Sequence, residues 1–325
     1  MTATLDNETA SPLPVDNVNG FPVSVIILTY NEEPNIRGCI EQLGWAEDVI
    51  VVDSGSSDGT VAAARAARSD VRVFTHPFRD FGDQRNWALD GTSPRHEWAL
   101  FLDADEHCTP ALAREIQSVV QDPQGHVGYY LPCRNIFLGK WIKRCTLYPS
   151  WQLRLLQRGE VRYRKEGHGQ REVTSGSLGY IREPYDHYAF SKGVSNWIAR
   201  HNQYSTDELE LIARLQDEPI RVADLFGGAL ARRRCLKRLA AKFGFRPLFR
   251  FIYTYILRGG FLDGWPGLYF CLLRVSHEIH ITVKLAEQRA ASPRSGRIKT
   301  VSGLNQQLTS WNSSQQESKV DNDEN

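Results

Sequence analysis

Three short apolar runs, each stopping on a polar or acidic residue, constrain this chain most. They are Val23-Ser-Val-Ile-Ile-Leu-Thr29, Asp48-Val-Ile-Val-Val-Asp53 and Trp98-Ala-Leu-Phe-Leu-Asp103. Consecutive β-branched and apolar residues, without strict alternation, suit strands buried on both faces. A further strand is expected over 71–75. Helical stretches over 35–43, 60–68, 84–89 and 110–120 fall between and after the strands. Asp58 or Thr60 is available as one helix cap, and Thr109 before Pro110 forms another. Strand–helix alternation predicts an α/β fold with a mostly parallel, Rossmann-like sheet and helices on both faces.

In open parallel sheets ligands bind at the carboxyl ends of the strands. Those ends read Thr29-Tyr-Asn-Glu32, Asp53-Ser-Gly-Ser-Ser-Asp-Gly-Thr60 and Asp103-Ala-Asp-Glu106. Converging carboxylates repel unless a cation or hydrogen-bond donors offset the repulsion. Asp103 and Asp105 are hard oxygen ligands suited to Mg²⁺ or Mn²⁺. A metal held there would neutralise a diphosphate leaving group. Asp53, before a Gly/Ser loop, can accept from a ribose hydroxyl or a base N–H. The loop matches neither the dinucleotide nor the P-loop glycine pattern, which argues against those two classes.

The segments "SVIILTYNEEPNI", "DVIVVDSGSSDGT", "FGDQRNWAL" and "WALFLDADE", in this order and spacing, resemble a family 2 glycosyltransferase. The likeness is greatest to the subgroup containing lipopolysaccharide-core glucosyltransferases. It implies a GT-A fold and a nucleotide site lined by Thr29, Asn31 and Glu32. It implies further that Asp53 holds the uracil or ribose, with Arg85 and Asn86 as nucleotide contacts. Asp103 and Asp105 become the metal and diphosphate ligands. A weaker likeness runs from Trp151 to Tyr204. Family members invert the anomeric centre with a carboxylate base. Here the candidates are Glu166, Glu172 and Asp186, with His168 as an acceptor contact. Related enzymes often carry a His-Glu pair where this chain has His168-Gly169. His187, between aromatic neighbours, reads equally well as a packed histidine. Trp141 and Trp151 read as sugar-stacking rings or, more commonly for tryptophan, as core residues.

The rest of the chain sets the organisation. Residues 1–20 and 291–325 are polar and low in large apolar groups, as disordered segments are. A catalytic domain is expected over 21–190 and a helical, basic and aromatic region over 191–290. In that region helices are expected over 191–212, 221–243, 249–257 and 268–285. The formal net charge of +1 gives no case for nucleic acid. The stretch 231–250 carries eight Arg or Lys and no acid, followed by many aromatic residues. That composition suits peripheral contact with an anionic membrane surface. The six cysteines form no zinc-like spacing, and the first residues lack the features of a signal peptide. A cytoplasmic protein on the inner face of the inner membrane is expected.

The function these features predict is inverting, metal-dependent transfer of a hexose from a nucleotide-diphosphate sugar, UDP-linked by family likeness. The acceptor would be a lipid-linked or cell-envelope glycan. Two alternatives share the strand-end acids: a nucleotidyltransferase, and a non-catalytic membrane-associated protein that binds nucleotide sugars.

Overall fold

The computed structural model describes residues 21–166, 169–209 and 246–291, with isolated residues and pairs between 212 and 239. The expected leader 1–20, the tail beyond 291, His168 and nearly all of the helix expected over 221–243 lie outside the described residues. The chain divides into two compact units at Lys192/Gly193.

The first unit is built on β1 (Phe21–Thr29), β2 (Ala46–Asp53), β3 (Arg72–Thr75) and β4 (Trp98–Asp103), joined through α1 (Glu33–Glu41), α2 (Thr60–Ala67) and α3 (Phe81–Gly91). These strands pair in parallel in the order β3-β2-β1-β4. The register sets Thr29 beside Asp53 and Leu28 beside Asp103, so the polar ends of three strands meet at one edge. Beyond β4 the sheet continues through β8 (Ser150–Gln157), β6 (His126–Phe137) and β12 (Tyr185–His187) to the two-residue β5 (Glu106–His107). The strand β8 runs antiparallel to both β4 and β6, whereas β11 (Ser177–Tyr180) and β12 run parallel to β6. The short β7 (Lys140–Trp141) pairs with the end of β6. The α/β core expected from the GT-A resemblance is present, with an antiparallel extension built on the short strand-like runs over 129–132 and 151–156.

Both faces of the sheet are covered, which explains the continuous apolar runs. Val25, Ile27, Val51, Leu100 and Leu102 pack with Ile36 and Ile40 of α1 and Leu112 and Ile116 of α4 (Pro110–Gln121). On the other face Ile26, Ile50, Val52 and Phe101 pack with Ala88 and Leu89 of α3 and with Val161 and Tyr163. Helix ends follow local chemistry. Asp80 caps α3 by accepting from the Asp83 N–H at 2.9 Å, and Thr109 caps α4 through the Leu112 N–H at 3.1 Å. Gly59, rather than Asp58 or Thr60, stands at the cap of α2. Asp58 accepts from the backbone N–H groups of Thr60 (3.0 Å) and Glu33 (3.3 Å), tying two strand-end loops together. A separate hairpin, β9 (Arg162–Glu166) and β10 (Gly169–Val173), lies on α3. Asn86 of α3 pins it by exchanging hydrogen bonds with the backbone of Tyr163, at 2.8 and 3.0 Å.

One buried polar network had no clear sequence signal. Asp48, 1% exposed, accepts from the Ser24 hydroxyl at 2.7 Å, the Arg95 N–H at 2.9 Å and the Arg72 guanidinium at 2.9 Å. Burial raises its pKa, but those donors and the Arg72 charge together bring it below the ordinary carboxylate value.

The second unit is helical among the described residues. It contains α5 (Gly193–Asp207), α6 (Arg246–Phe251), a π-helical turn (Ile252–Leu257), a 3₁₀ turn (Gly260–Asp263) and α7 (Gly264–Ala291). The final helix is longer than the expected 268–285, because Trp265-Pro266 suits a first helical turn. Lys284 of α7 donates to Asn202 O, Ser205 Oγ and Thr206 Oγ1 of α5 at 2.7–2.8 Å, and Leu209, Ile212, Ile281 and Leu285 form a small core. No helix of the described residues is long and apolar enough to cross a membrane. All six cysteines are buried thiols outside any disulfide.

Candidate active site

The edge where β1, β2 and β4 end carries Thr29, Asn31, Glu32, Asp53, Asp103 and Asp105, half of the candidate residues the sequence singled out. Thr29 is buried, and its hydroxyl has no hydrogen-bond partner among the described residues. Asn31 adopts a left-handed backbone (φ 52°), which asparagine tolerates better than most residues. Its side-chain oxygen accepts from the Ser57 N–H at 2.8 Å, and its N–H donates to Ser56 Oγ at 2.8 Å. The Glu32 carboxylate is paired with Lys192 and accepts from Asn35. These contacts fasten the β1 and β2 loops into one rim.

Asp53 is almost wholly buried. One oxygen accepts from the N–H groups of Gly55 (3.0 Å) and Ser56 (2.9 Å), and the other from the Ser56 hydroxyl. A carboxylate offers about four acceptor positions, so its own loop occupies most of them. Gly55, at φ 89°, lets the chain turn this tightly.

Around Asp103 the structure assembles charges that sequence reasoning only partly foresaw. Arg85, expected at the site, is 4% exposed and lies 3.4 Å from Asp103 Oδ1, against the rings of Phe101 and Tyr163. It is buried rather than set on an exposed helix face. Arg154 was not anticipated. It is 2% exposed, reaches Asp103 Oδ2 at 3.0 Å and pairs with the buried Glu106. Glu106 in turn accepts from the Asp103 N–H at 2.9 Å. The charge of Arg154 inside "WQLRLLQ" was the available signal, since a charge in an apolar strand needs a partner. Burial alone would raise the Asp103 pKa, but Arg154 and then Arg85 hold it far below the ordinary carboxylate value. Burial pushes Glu106 up to about 7, against the pull of Arg154. The Asp103 side chain is still 41% exposed, so it faces solvent from a cationic seat.

Asp105 points to a different partner. Its Oδ2 lies 3.5 Å from His187 Nε2, across the β5–β12 pairing that aligns His187 with Glu106. Burial opposes a charged imidazole, yet Asp105 beside it raises the His187 pKa well above its ordinary value. His187 Nδ1 is 3.1 Å from Asn135 Oδ1. An oxygen and an imidazole nitrogen at this separation, with the second ring nitrogen engaged, fit adjacent ligands of one divalent cation. A cation there would displace the imidazolium proton. Among the described residues no group of three or more His, Cys, Asp or Glu side chains forms a closed cage. One or two carboxylates, with the rest of the shell left to water and substrate phosphates, is the usual arrangement for Mg²⁺-type sites.

The candidate bases differ in their surroundings. Asp186 is clamped by Nε and Nη2 of Arg134, one to each carboxylate oxygen. Glu166 is exposed and pairs with Arg171 at 3.2 Å. Glu172 is half-buried and accepts from the Tyr130 hydroxyl. Arg85 reaches Gln170 at 3.3 Å, two residues along β10 from Glu172. Asn86, bonded on both sides to Tyr163, is a clamp for the hairpin. Trp151 is exposed, not core.

A model of glycosyl transferase family 2 matches residues 24–188, just over half of the chain. The lipopolysaccharide core biosynthesis glycosyltransferase LpsC of Rhizobium meliloti is 29% identical over 192 residues, covering 57% of this chain and 70% of LpsC. An uncharacterised glycosyltransferase of Rickettsia bellii is 34% identical over 98 residues, 30% of this chain and 32% of that protein. The chain therefore spans about two thirds of the rhizobial relative and one third of the rickettsial one. Among solved structures, S. aureus TarS in complex with UDP superposes with a TM-score of 0.40, at 12% identity, over 86% of this chain and 94% of that one. The family match covers the β1–β4 edge, both Asp103 and Asp105, and His187: the chain belongs to glycosyl transferase family 2.

Proposed function

We propose that this glycosyltransferase moves a hexose from a UDP-linked donor to a cell-envelope or lipid-linked glycan, with inversion and with help from a divalent cation. The observation carrying the reading is the common edge on which Asp53, Asp103 and the Asp105–His187 pair lie, with two buried arginines behind Asp103. The role of LpsC in lipopolysaccharide core biosynthesis supports a glycan acceptor of that class.

On this reading Asp53 and the Thr29–Glu32 rim hold the nucleoside end of the donor. Asp105, His187 and Asp103 would hold Mg²⁺ or Mn²⁺. The cation, when bound, supplies charge neutralisation for the departing nucleotide diphosphate. Arg85 and Arg154 fix the position of the Asp103 carboxylate, so it need not reorganise as charge develops. Glu172 takes the proton of the acceptor hydroxyl as that oxygen attacks the anomeric carbon. Its partner is a neutral phenol, whereas Asp186 has both oxygens committed to a guanidinium.

The second unit supports attachment to the cytoplasmic face of an anionic inner membrane. Leu257 and Trp265 are 72% and 71% exposed, with Leu248, Phe249, Phe261 and Leu262 also open to solvent. Between 246 and 274 the chain carries four arginines, of which Arg258 is exposed and Arg246 is paired with Glu278, and one acid, Asp263, which is buried. Exposed apolar groups interleaved with cations suit an anionic lipid interface.

Calorimetric titration of UDP-glucose, UDP-galactose, UDP-GlcNAc, GDP-mannose and dTDP-rhamnose, with and without Mn²⁺, tests the donor reading. Mn²⁺-dependent binding of a UDP-sugar, lost in Asp105→Ala and His187→Ala, is expected. Folded protein that binds none of the donors overturns it. Retained transfer by Glu172→Gln alongside loss in Asp186→Asn or Glu166→Gln would move the base.

A further inference from the structure

Three aromatic rings stand together on the sheet face beyond Asp103, outside the donor site. The strand β8 runs antiparallel to β4, with Leu100 opposite Leu155, so the first residues of β8 lie beside the strand end that carries Asp103. Trp151 sits there, opposite Pro132 of β6. Tyr130 of β6 faces Tyr180 of β11. The Tyr130 and Tyr180 rings stack with centroids 5.3 Å apart, and Trp151 meets Tyr180 edge-on at 5.0 Å. Trp151 is 40% exposed and Tyr180 is 60% exposed. The Tyr130 hydroxyl donates to Glu172.

We propose that Trp151, Tyr180 and Tyr130 form the platform on which the acceptor glycan rests. This deepens the glycosyl-transfer reading and rests on it. A pyranose ring presents one face of C–H bonds, which the negative face of an aromatic ring attracts, and a rim of hydroxyls that need partners. The rings supply the apolar surface at small entropic cost, because each has only two rotatable side-chain bonds. Glu172, within reach of Tyr130, supplies the acceptor for a sugar hydroxyl.

Position sets the substrate class. Neighbouring strands are about 4.8 Å apart. Trp151 is thus one strand, about 5 Å, from the strand that ends at Asp103. The Trp151 and Tyr180 centroids lie 5.0 Å apart and those of Tyr130 and Tyr180 5.3 Å, so the rings form one compact patch and not a long track. It fits the face of the sugar unit that carries or adjoins the attacked hydroxyl.

The full chain, wild type and variant, would be titrated with core oligosaccharide released from lipopolysaccharide by mild acid, followed by saturation-transfer NMR and calorimetry. UDP-glucose with Mn²⁺ is titrated in parallel, and thermal unfolding is recorded for each variant. Wild type is expected to bind the oligosaccharide. Trp151→Ala and Tyr180→Ala should each weaken that binding about tenfold, the worth of one ring contact. Trp151→Phe should retain most of it, with donor affinity and unfolding midpoint unchanged. Equal oligosaccharide affinity in the Ala variants overturns the platform. So does an absence of oligosaccharide binding by wild type, or a loss that comes with weakened donor binding or a lower midpoint. The glycan readout does not pass through the donor. A chain that binds the oligosaccharide through these rings and binds no nucleotide sugar would refute the donor reading and keep the platform.

Discussion

Replacing Arg154 by methionine isolates a buried electrostatic dependency. Arg154 is 2% exposed and bridges Asp103 to Glu106, whose side chain is 1% exposed. Methionine fills similar volume along the same path, so packing is largely kept while the charge is removed. Taking one partner from a buried pair costs about 3–5 kcal/mol, because the other charge is left without compensation. Here the loss falls on Glu106 more than on Asp103, which keeps Arg85 and contact with solvent. Without the guanidinium, the Glu106 pKa rises further above the value of about 7 that burial already gives it. Glu106 would then bind a proton on folding, so the penalty is largest at pH 8 and shrinks towards pH 6. In a unit of this size, about 3–5 kcal/mol corresponds to a fall in Tm of roughly 6–20 °C. Urea unfolding at the two pH values, with the double variant Arg154→Met/Glu106→Gln, completes the test. The double variant should regain at least half of the lost stability, since it removes the orphaned charge. A cost below about 1 kcal/mol, or no coupling between the two substitutions, would show that Glu106 does not depend on Arg154 and refute the reasoning.

Other outcomes follow from single features. Asp48→Ala should cost about 3 kcal/mol in urea unfolding, the low end for a broken buried pair because Arg72 keeps some solvent. The Asp48 pKa is depressed in the fold, so its contribution is present above the unfolded carboxylate value and disappears as pH falls through the lower folded value. His201, stacked on Trp197 at 3.4 Å, has its pKa pushed down to about 4 by burial. The unfolded chain then binds a proton that the folded one refuses, so stability should drop as pH falls from about 6.5 to about 4. After allowance for partial exposure the drop is about 1–2 kcal/mol, and His201→Gln should flatten it in pH-resolved melts. Leu257→Ser/Trp265→Ser should cut sedimentation with phosphatidylglycerol vesicles at least tenfold, with little change on phosphatidylcholine. Equal sedimentation by the double variant would count against the lipid-facing role.

The first half of the fold was legible because local and tertiary signals coincide there. Buried parallel strands need continuous apolar runs, and Val25 to Leu28 and Val49 to Val52 show them. Thr109-Pro110 marks the start of α4 through its own capping bond. The site was legible where a strand end fixes it, as at Asp53 and Asp103. It was hidden where partners are distant in sequence. Arg154 meets Asp103 across 51 residues, and His187 meets Asp105 through a two-residue strand too short to leave a pattern. The exposure of Trp151 was likewise unreadable, because its run also suits a core strand. In the second unit the aromatic residues between Phe249 and Tyr269 mark helices but not which faces lie open.

The pairing of β1 with β2 on one side and β4 on the other acts as a gauge. Asp53 and Asp103 stand one strand to either side of β1, about 10 Å apart. That span is written in backbone hydrogen bonds and not in side chains. On the proposed reading it selects donors by length, with the nucleoside at one mark and the sugar-bearing phosphate at the other. Substituting either acid changes how strongly a donor is gripped, but leaves the distance between the marks untouched. Only an insertion, deletion or register slip in β1 would recalibrate it. Variation in sugar preference among chains built this way therefore has to come from beyond the two marks, in α3, the β9–β10 hairpin and the ring-bearing strands.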